Sequence, residues 1–534
     1  MAGAGAKSGA NNVGIGTSSL AALTAGLWNI GIGNFALNDI TSGQNNTGLG
    51  YKSLALVTTG DNNLAMGNES GYQIVDGTAN IALGYRTVYG GNTTSTFSYN
   101  IAIGGSVMAG AGAKSGVYNL AIGSLSLYNI TSGDYNVGMG SNSLGGATSG
   151  DYNVGIGSNA GLTIAAGLNN IAIGKDSVGL GTTTAAFANN IAIGESSMGG
   201  AGAKSGTDNV GIGRLSMGSL TTGIQNVGIG GSSLLVLNTG SQNLSIGTEA
   251  GSKITTADFN TLMGYSAGSA IEEGSSNVAI GKYAIRSGST TSTFVNNIAI
   301  GADSINGTGV KSGVSNIGIG NSACNLVTSG SQNFCIGYGA GYGITTGSKN
   351  TVIGSQCGYR LGAASGNILL GEKAAFGGSA TSAFIDNILI GKNSFGGSGA
   401  KIGSENVAIG RNTGYWMSSG ENNTLIGARA GGYTATNVVS ANVCIGYNSG
   451  NNTSLTSNQL WIANSNTATP LIYGVFPNTL LKLNATDVAI RAADAFNFGD
   501  PSTDGSWRIV RSGADLVIQV LVTGTWTTKS TISA

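Results

Sequence analysis

The residues that could do chemistry are few and scattered. The 534-residue chain has no histidine, 23 acidic and 23 basic residues, and four cysteines, Cys324, Cys335, Cys357 and Cys444. Without histidine there is no His-based nucleophile activation and no His metal site. A glycosidase needs two carboxylates at a set separation. Asp487, Asp494, Asp500, Asp504 and Asp515 cluster near the C-terminus, but aspartates in turn-rich sequence read first as loop caps. Gly110-Ala-Gly-Ala-Lys114 lacks the Gly-Lys-Ser/Thr ending and the strand–loop–helix setting of a phosphate loop. The Gly-Gly-x-Gly-x-Asp runs of calcium-binding solenoids do not occur. No two cysteines form a Cys-x-x-Cys pair; Cys335 and Cys444 stand where the repeat usually has Gly or Ala, so small buried filler is the reading, with a disulfide or metal site as the alternative. The expectation is a non-enzyme with no cofactor and no metal.

Composition narrows the class. There are 94 Gly but only 3 Pro, and charged residues make up 9%. Glycine at this level without a Gly-X-Y period is not collagen. With 41% hydrophobic residues recurring regularly, the chain is not a disordered linker either. Zero net charge without a basic tract argues against nucleic acid as a partner. No run approaches the roughly 18 apolar residues of a membrane span, and Met1–Gly9 has no secretory h-region.

What remains is a repeat architecture. Asn-x-x-aliphatic-Gly occurs 25 times, from Asn12 to Asn442, usually 17 residues apart. A representative copy is Asn136-Val-Gly-Met-Gly-Ser-Asn-Ser-Leu-Gly-Gly-Ala-Thr-Ser-Gly-Asp-Tyr152, numbered here as positions 1 to 17. Positions 2 and 4 are mostly aliphatic and alternate with 1, 3 and 5, which is strand periodicity. Seventeen residues cannot bury a core alone, so the coils must stack. At roughly 4.8 Å per coil, a stack of 25 makes a rod of about 120 Å. Stacking is expected to set position 1 into an asparagine ladder and position 4 into the core, as with Asn12, Ile15 and Gly16; Asn136, Met139 and Gly140; Asn209, Ile212 and Gly213; and Asn316, Ile319 and Gly320. The invariant Gly at position 5 calls for positive φ or for a close backbone approach. Position 3 is Gly, Ala or Ser in 18 of 25 copies. Placed opposite the core, such small residues imply close lateral association with other chains, and a trimer is expected.

A longer rhythm overlies the short one. Steps of 20 and then 19 punctuate the 17s, giving a 197-residue unit of 107 and then 90 residues, marked by Lys7, Lys114, Lys204, Lys311 and Lys401, and by Phe97, Phe187, Phe294 and Phe384. The extra residues should bulge as loops, with each Phe pinning its own loop. Because Met1–Lys7 repeats Met108–Lys114, the fibre is expected to continue upstream. The expected division is a shaft over 1–452, a neck over 453–485 and a tip over 486–534. In the tip, Ser506–Arg511, Leu516–Val522 and Thr525–Ile532 read as three antiparallel strands.

The run Asn-Val-Gly-Ile-Gly…Ser-Leu…Thr-Thr-Gly…Asn resembles the Asn-x-Ala-Ile-Gly repeats of trimeric autotransporter adhesin heads, over roughly residues 10 to 455. Similar repeats occur in bacteriophage tail fibres, and Gly499–Arg508 with Gly524–Lys529 resembles phage fibre tips. The resemblance implies an all-β, left-handed parallel β-roll assembled as a homotrimer. The membrane-anchoring barrel of an autotransporter and the endosialidase-type chaperone of many fibres are both missing from this sequence; the latter fits a chain ending after autocleavage. The function implied is a virion tail fibre or receptor-binding fibre, joined upstream to a fibre or baseplate component and meeting a host-surface glycan or protein. Tyr473, Trp507 and Trp526 are the candidate receptor contacts, as aromatic platforms for sugars. The alternative is a bacterial cell-surface adhesin or matrix fibre. An ice-binding solenoid would need a Thr-x-Thr ladder, which the turn-bound threonines do not make.

Overall fold

A computed structural model describes residues 8–532 except 91–95, 185, 287–292, 308–311, 378–383, 398–401, 418, 433–438, 452–454, 466–469, 476–479, 484–494, 499–504 and 513–514. Lys7, Lys311 and Lys401, and Asp487, Asp494, Asp500 and Asp504, lie outside the described residues. The fold is all-β: a parallel β-solenoid of about 24 turns at roughly 17 residues per coil, followed by antiparallel strands. Each motif forms a three-residue strand at positions 2 to 4, such as Val137–Met139, paired in register with the same positions of the coils before and after it.

Which way this strand faces corrects the sequence reading. Position 3 points inward: Ala65, Ala82, Ala172, Leu262 and Cys335 are fully buried. Positions 2 and 4 point outward, so that Met66 is 45% exposed and Ile156 37%. Position 4 is therefore not the core, and position 3 does not meet a neighbouring chain. The asparagine decides the matter. Asn136 is completely buried, its Nδ2 donating to Asn119 Oδ1 at 3.1 Å and to the Gly150 carbonyl at 2.8 Å. A buried amide must have its partners inside. With position 1 inside, the alternation of a strand carries position 3 inside and positions 2 and 4 outside.

The apolar core is made by position 3 together with positions 9 and 12, for example Leu144 and Ala147, or Leu127 and Ile130. Small residues at position 3 make room for a large position 9. A Cβ on Gly138 would meet Leu127 Cγ at 3.2 Å, and one on Gly155 would meet Leu144 Cγ at 2.7 Å. Where position 3 is large, the Gly moves to position 9: Gly268 faces Leu262, Gly431 faces Leu425 and Gly341 faces Cys335. Close packing allows one bulky group per level at this place, from either position. Coils with Leu389 and Phe395 depart from the exchange and bury both. Position 8 supplies a second polar column, as in Ser143 Oγ donating to the Gly155 carbonyl at 2.7 Å.

Gly at position 5 meets both demands read from the sequence. Gly140 has φ 132°, and a Cβ there would lie 2.6 Å from the carbonyl oxygen of Gly157. Positions 7, 9 and 17 also turn through the left-handed region, as in Asn142 (φ 58°), Leu144 (φ 49°) and Tyr152 (φ 56°). Asn tolerates this; Leu does so here because the stack fixes its backbone on both sides.

The longer steps do not interrupt the ladder. Asn100 Nδ2 reaches Asn80 Oδ1 at 3.3 Å across the step of 20, and Asn119 Nδ2 reaches Asn100 Oδ1 at 3.0 Å across the step of 19. Phe97, Phe187, Phe294 and Phe384 are buried. Their carbonyls replace that of the usual position-15 residue, accepting from Asn80, Asn170, Asn277 and Asn367 at 2.6 to 3.0 Å.

Beyond Asn442 the stacking continues into Gln459–Ile462, a degenerate copy of the motif that the sequence reading did not count. Gln459 takes the place of Asn, its backbone N–H donating to Asn442 Oδ1 at 2.9 Å, and Trp461 fills the position-3 slot. Ile472–Val475 and Leu480–Leu483 add to this edge antiparallel. The tip sheet has four strands rather than three: Ala495–Phe498, Trp507–Ser512, Asp515–Val522 and Thr525–Ile532, all antiparallel.

Two substitutions test this core. Leu144→Ala should cost about 2–5 kcal/mol by opening a cavity, seen as earlier urea unfolding. Ile156→Ala, on the outer face of the next coil, should cost far less in the isolated chain. Equal losses would contradict the inward placement of position 9 and the outward placement of position 4.

Candidate interaction surfaces

Two kinds of column run along the rod, one internal and structural, the other external. Internally, the amide ladder joins Asn12 to Asn29 at 3.1 Å, Asn190 to Asn209 at 3.0 Å and Asn297 to Asn316 at 3.0 Å. Ile15, Met139, Ile212 and Ile319 stand on the outer face of the same strands. They form, with position 2, an aliphatic stripe that runs the length of the stack.

Aromatic columns occupy two corners. At the residue just before each Asn, which is position 17 of an ordinary coil, Tyr99, Tyr118, Tyr135 and Tyr152 stack face to face with centroids 4.9 to 5.0 Å apart. The same corner carries Asn169, Asp208, Gln225 and Lys349 in other coils, so it looks onto solvent. At position 10, Tyr342 stacks on Tyr359 at 5.0 Å and Tyr359 on Phe376 at 5.5 Å. Spacing by 17 residues, with one step of 19, makes both columns readable in the sequence once the register is fixed; attention to the distal tryptophans missed them.

The three expected receptor contacts do not form one site. Tyr473 packs against the end of the solenoid core, edge-on to Trp461 at 5.3 Å, and Gln459 Nε2 donates to its hydroxyl at 3.0 Å. In the tip sheet the Arg508 guanidinium lies 4.3 Å from the Trp526 ring centroid, while Arg508 Nε donates to Gln519 Oε1 at 2.7 Å. Trp507, one residue earlier on its strand, faces the other side and is 43% exposed.

Cys324 and Cys335 are joined by a disulfide. It links position 9 of one coil to position 3 of the next, the pair of slots that packing already brings together. For these two residues the alternative reading, a disulfide, replaces buried filler. Cys357 and Cys444 are free and buried, and burial pushes both thiols up to about 12. Lys114 and Lys204 are buried as well. Lys114 Nζ donates to the Ile130 carbonyl at 2.9 Å, and Lys204 Nζ donates to the carbonyls of Leu180 and Gly200. Desolvation lowers both from 10.5 to about 8.

Among the described residues, no group of three or more His, Cys, Asp or Glu could hold a metal ion, and no helix is long and apolar enough to cross a membrane. The fold places the chain among parallel β-solenoid repeat proteins. No family profile, no curated protein and no solved structure matches it.

Two measurements follow. Native protein should give almost no thiol reaction with Ellman's reagent, denatured unreduced protein two thiols per chain, and reduced denatured protein all four. The lysines act on stability with a definite sign. Between about 8 and 10.5 the unfolded chain binds more protons than the folded one, so stability should rise with pH across that window. Below about 8 the cost of burying the charge is fully present. A double variant, Lys114→Met with Lys204→Met, should flatten the rise in melting temperature between pH 8 and 10.

Proposed function

We propose that this chain is a structural and adhesive fibre protein that works as a homotrimer, three left-handed rolls packed side by side along the aliphatic stripe. The proposed setting is a phage tail fibre or receptor-binding fibre, with the shaft holding a tip against a host-surface glycan or protein. The observation that carries the reading is the outward column of Val, Ile, Leu and Met at positions 2 and 4. Contiguous apolar surface of this extent marks a place where another surface belongs.

Magnitudes favour association. Covering one half-exposed aliphatic side chain contributes about 1 kcal/mol, and most coils present two. Association costs on the order of 4–15 kcal/mol in lost freedom, which a few coils offset. A closed ring of three also satisfies every copy equally, where an open-ended contact would propagate. Three weak tip sites on one stiff shaft would then gain by avidity.

Light scattering of the purified protein tests the assembly: the expected mass is three times that of the 52.8 kDa chain. Replacing Ile156, Ile173 and Ile193 together by Asp should make the assembly melt earlier, because each would bury an unpaired charge. A wild-type protein that is monomeric, or a triple variant that melts no earlier than the parent, would remove the basis of the reading. Adhesion is tested separately, by counting labelled protein bound to bacterial cells with and without Trp507→Ala and Trp526→Ala.

A further inference from the structure

The position-10 aromatic column is interrupted near the distal end of the shaft, and the interruption leaves a cleft. Positions 10 and 11 of one coil are Gly396 and Gly397; in the next they are Tyr415 and Trp416; position 10 of the coil after that is Gly432. The glycines withdraw side chains from both sides of Tyr415 and from the Gly397 side of Trp416. The result is a cleft of about 250 Å³ lined by Asn412, Tyr415, Trp416, Arg429, Gly432 and Asn451. Tyr415 and Trp416 meet edge to face at 4.9 Å, which holds the indole upright, and Trp416 remains 38% exposed.

The polar groups here are only partly used by the fold: Asn412 Oδ1 accepts from Asn393 Nδ2 at 3.2 Å, which leaves its Nδ2 for a ligand. Asn451 is 5% exposed. Its Nδ2 donates to Asn448 Oδ1 at 3.2 Å, whereas its Oδ1 has no hydrogen-bond partner among the described residues. A buried carbonyl oxygen without a donor is uncommon and invites one from outside. Arg429 forms no ion pair among the described residues, whose salt bridges involve only Arg86, Lys175 and Lys392. Asn412 and Arg429 both stand at position 7 of adjacent coils, so an amide and a guanidinium face the same opening.

We propose that this cleft binds one acidic pyranose unit of a surface polysaccharide. The apolar face of the sugar would lie on Trp416, with its hydroxyls donating to Asn451 Oδ1 and meeting the Asn412 amide. The carboxylate would take the planar, two-pronged donor of Arg429, a pairing that a neutral sugar cannot make. This site is on the shaft and does not depend on the tip aromatics; a trimer would carry three copies.

The test uses the full chain and two probes, glucuronic acid and glucose, followed by saturation-transfer NMR and by tryptophan fluorescence. Glucuronic acid should bind at millimolar concentration and at least tenfold more tightly than glucose. Trp416→Ala should abolish this binding, and Arg429→Gln should bring glucuronic acid down to the level of glucose. Trp526→Ala should leave it unchanged. Unfolding curves of the variants must match the parent, which separates a lost site from a lost fold. The proposal is overturned if glucuronic acid does not bind, if glucose binds equally well, or if a folded Trp416→Ala variant retains the affinity. None of these outcomes alters the measured mass of the assembly, so the fibre reading stands or falls separately.

Discussion

The asparagine at position 1 is the constraint on which the rest depends. Its side chain does three things at once. The Nδ2 group closes its own coil on the carbonyl fourteen residues ahead, as Asn136 does to Gly150, and also donates to the asparagine of the preceding coil. Its Oδ1 accepts from the next, as Asn136 Oδ1 does from the Asn153 backbone N–H at 2.9 Å. A side chain so committed must be inside, where no water competes. From that one placement follow the direction of every strand face, the small inner residue at position 3 and the aliphatic outer face. The ladder also explains how steps of 17, 19 and 20 residues coexist. Register is held by the amides, and a Phe carbonyl stands in where the usual acceptor is displaced.

Inside the ladder, packing is settled by exchange of volume between positions 3 and 9. This gives a narrow core in which a large group enters from one side or the other. The disulfide between Cys324 and Cys335 spans these two slots, at a place where two medium side chains replace one large one. The buried lysines belong to the same economy. The Lys114 ammonium, from a long coil, meets the Ile130 carbonyl of the next coil in the interior.

The outer surface divides by chemistry. The strand face offers aliphatic side chains, the surface along which the proposed trimer would pack. The position-17 and position-10 corners carry stacked rings among polar residues and suit solvent or ligands. The tip adds Trp526, covered by the Arg508 guanidinium, and an exposed Trp507 on the reverse face. The adhesion proposed for this chain therefore need not be confined to its end.

The sequence by itself determined the class of fold, the coil length, the places of the longer coils, the need for Gly at position 5 and the asparagine ladder. Each follows from a strict period in residues of restricted conformation or bonding, such as Gly140 and Asn136. Only the tertiary structure decided which face of the strand is buried. Periodicity of two separates positions 2 and 4 from 1, 3 and 5 but does not say which set is inside. Aliphatic character pointed one way and the bonding demand of a buried amide the other, and the amide prevailed because a buried polar group without partners costs more than an apolar one in water. The same reason hid the rest. The Leu144 position packs against Gly155 of the next coil, and the Trp416 cleft exists because of glycines in the coils on either side, so both are relations between coils that a single copy of the motif cannot display.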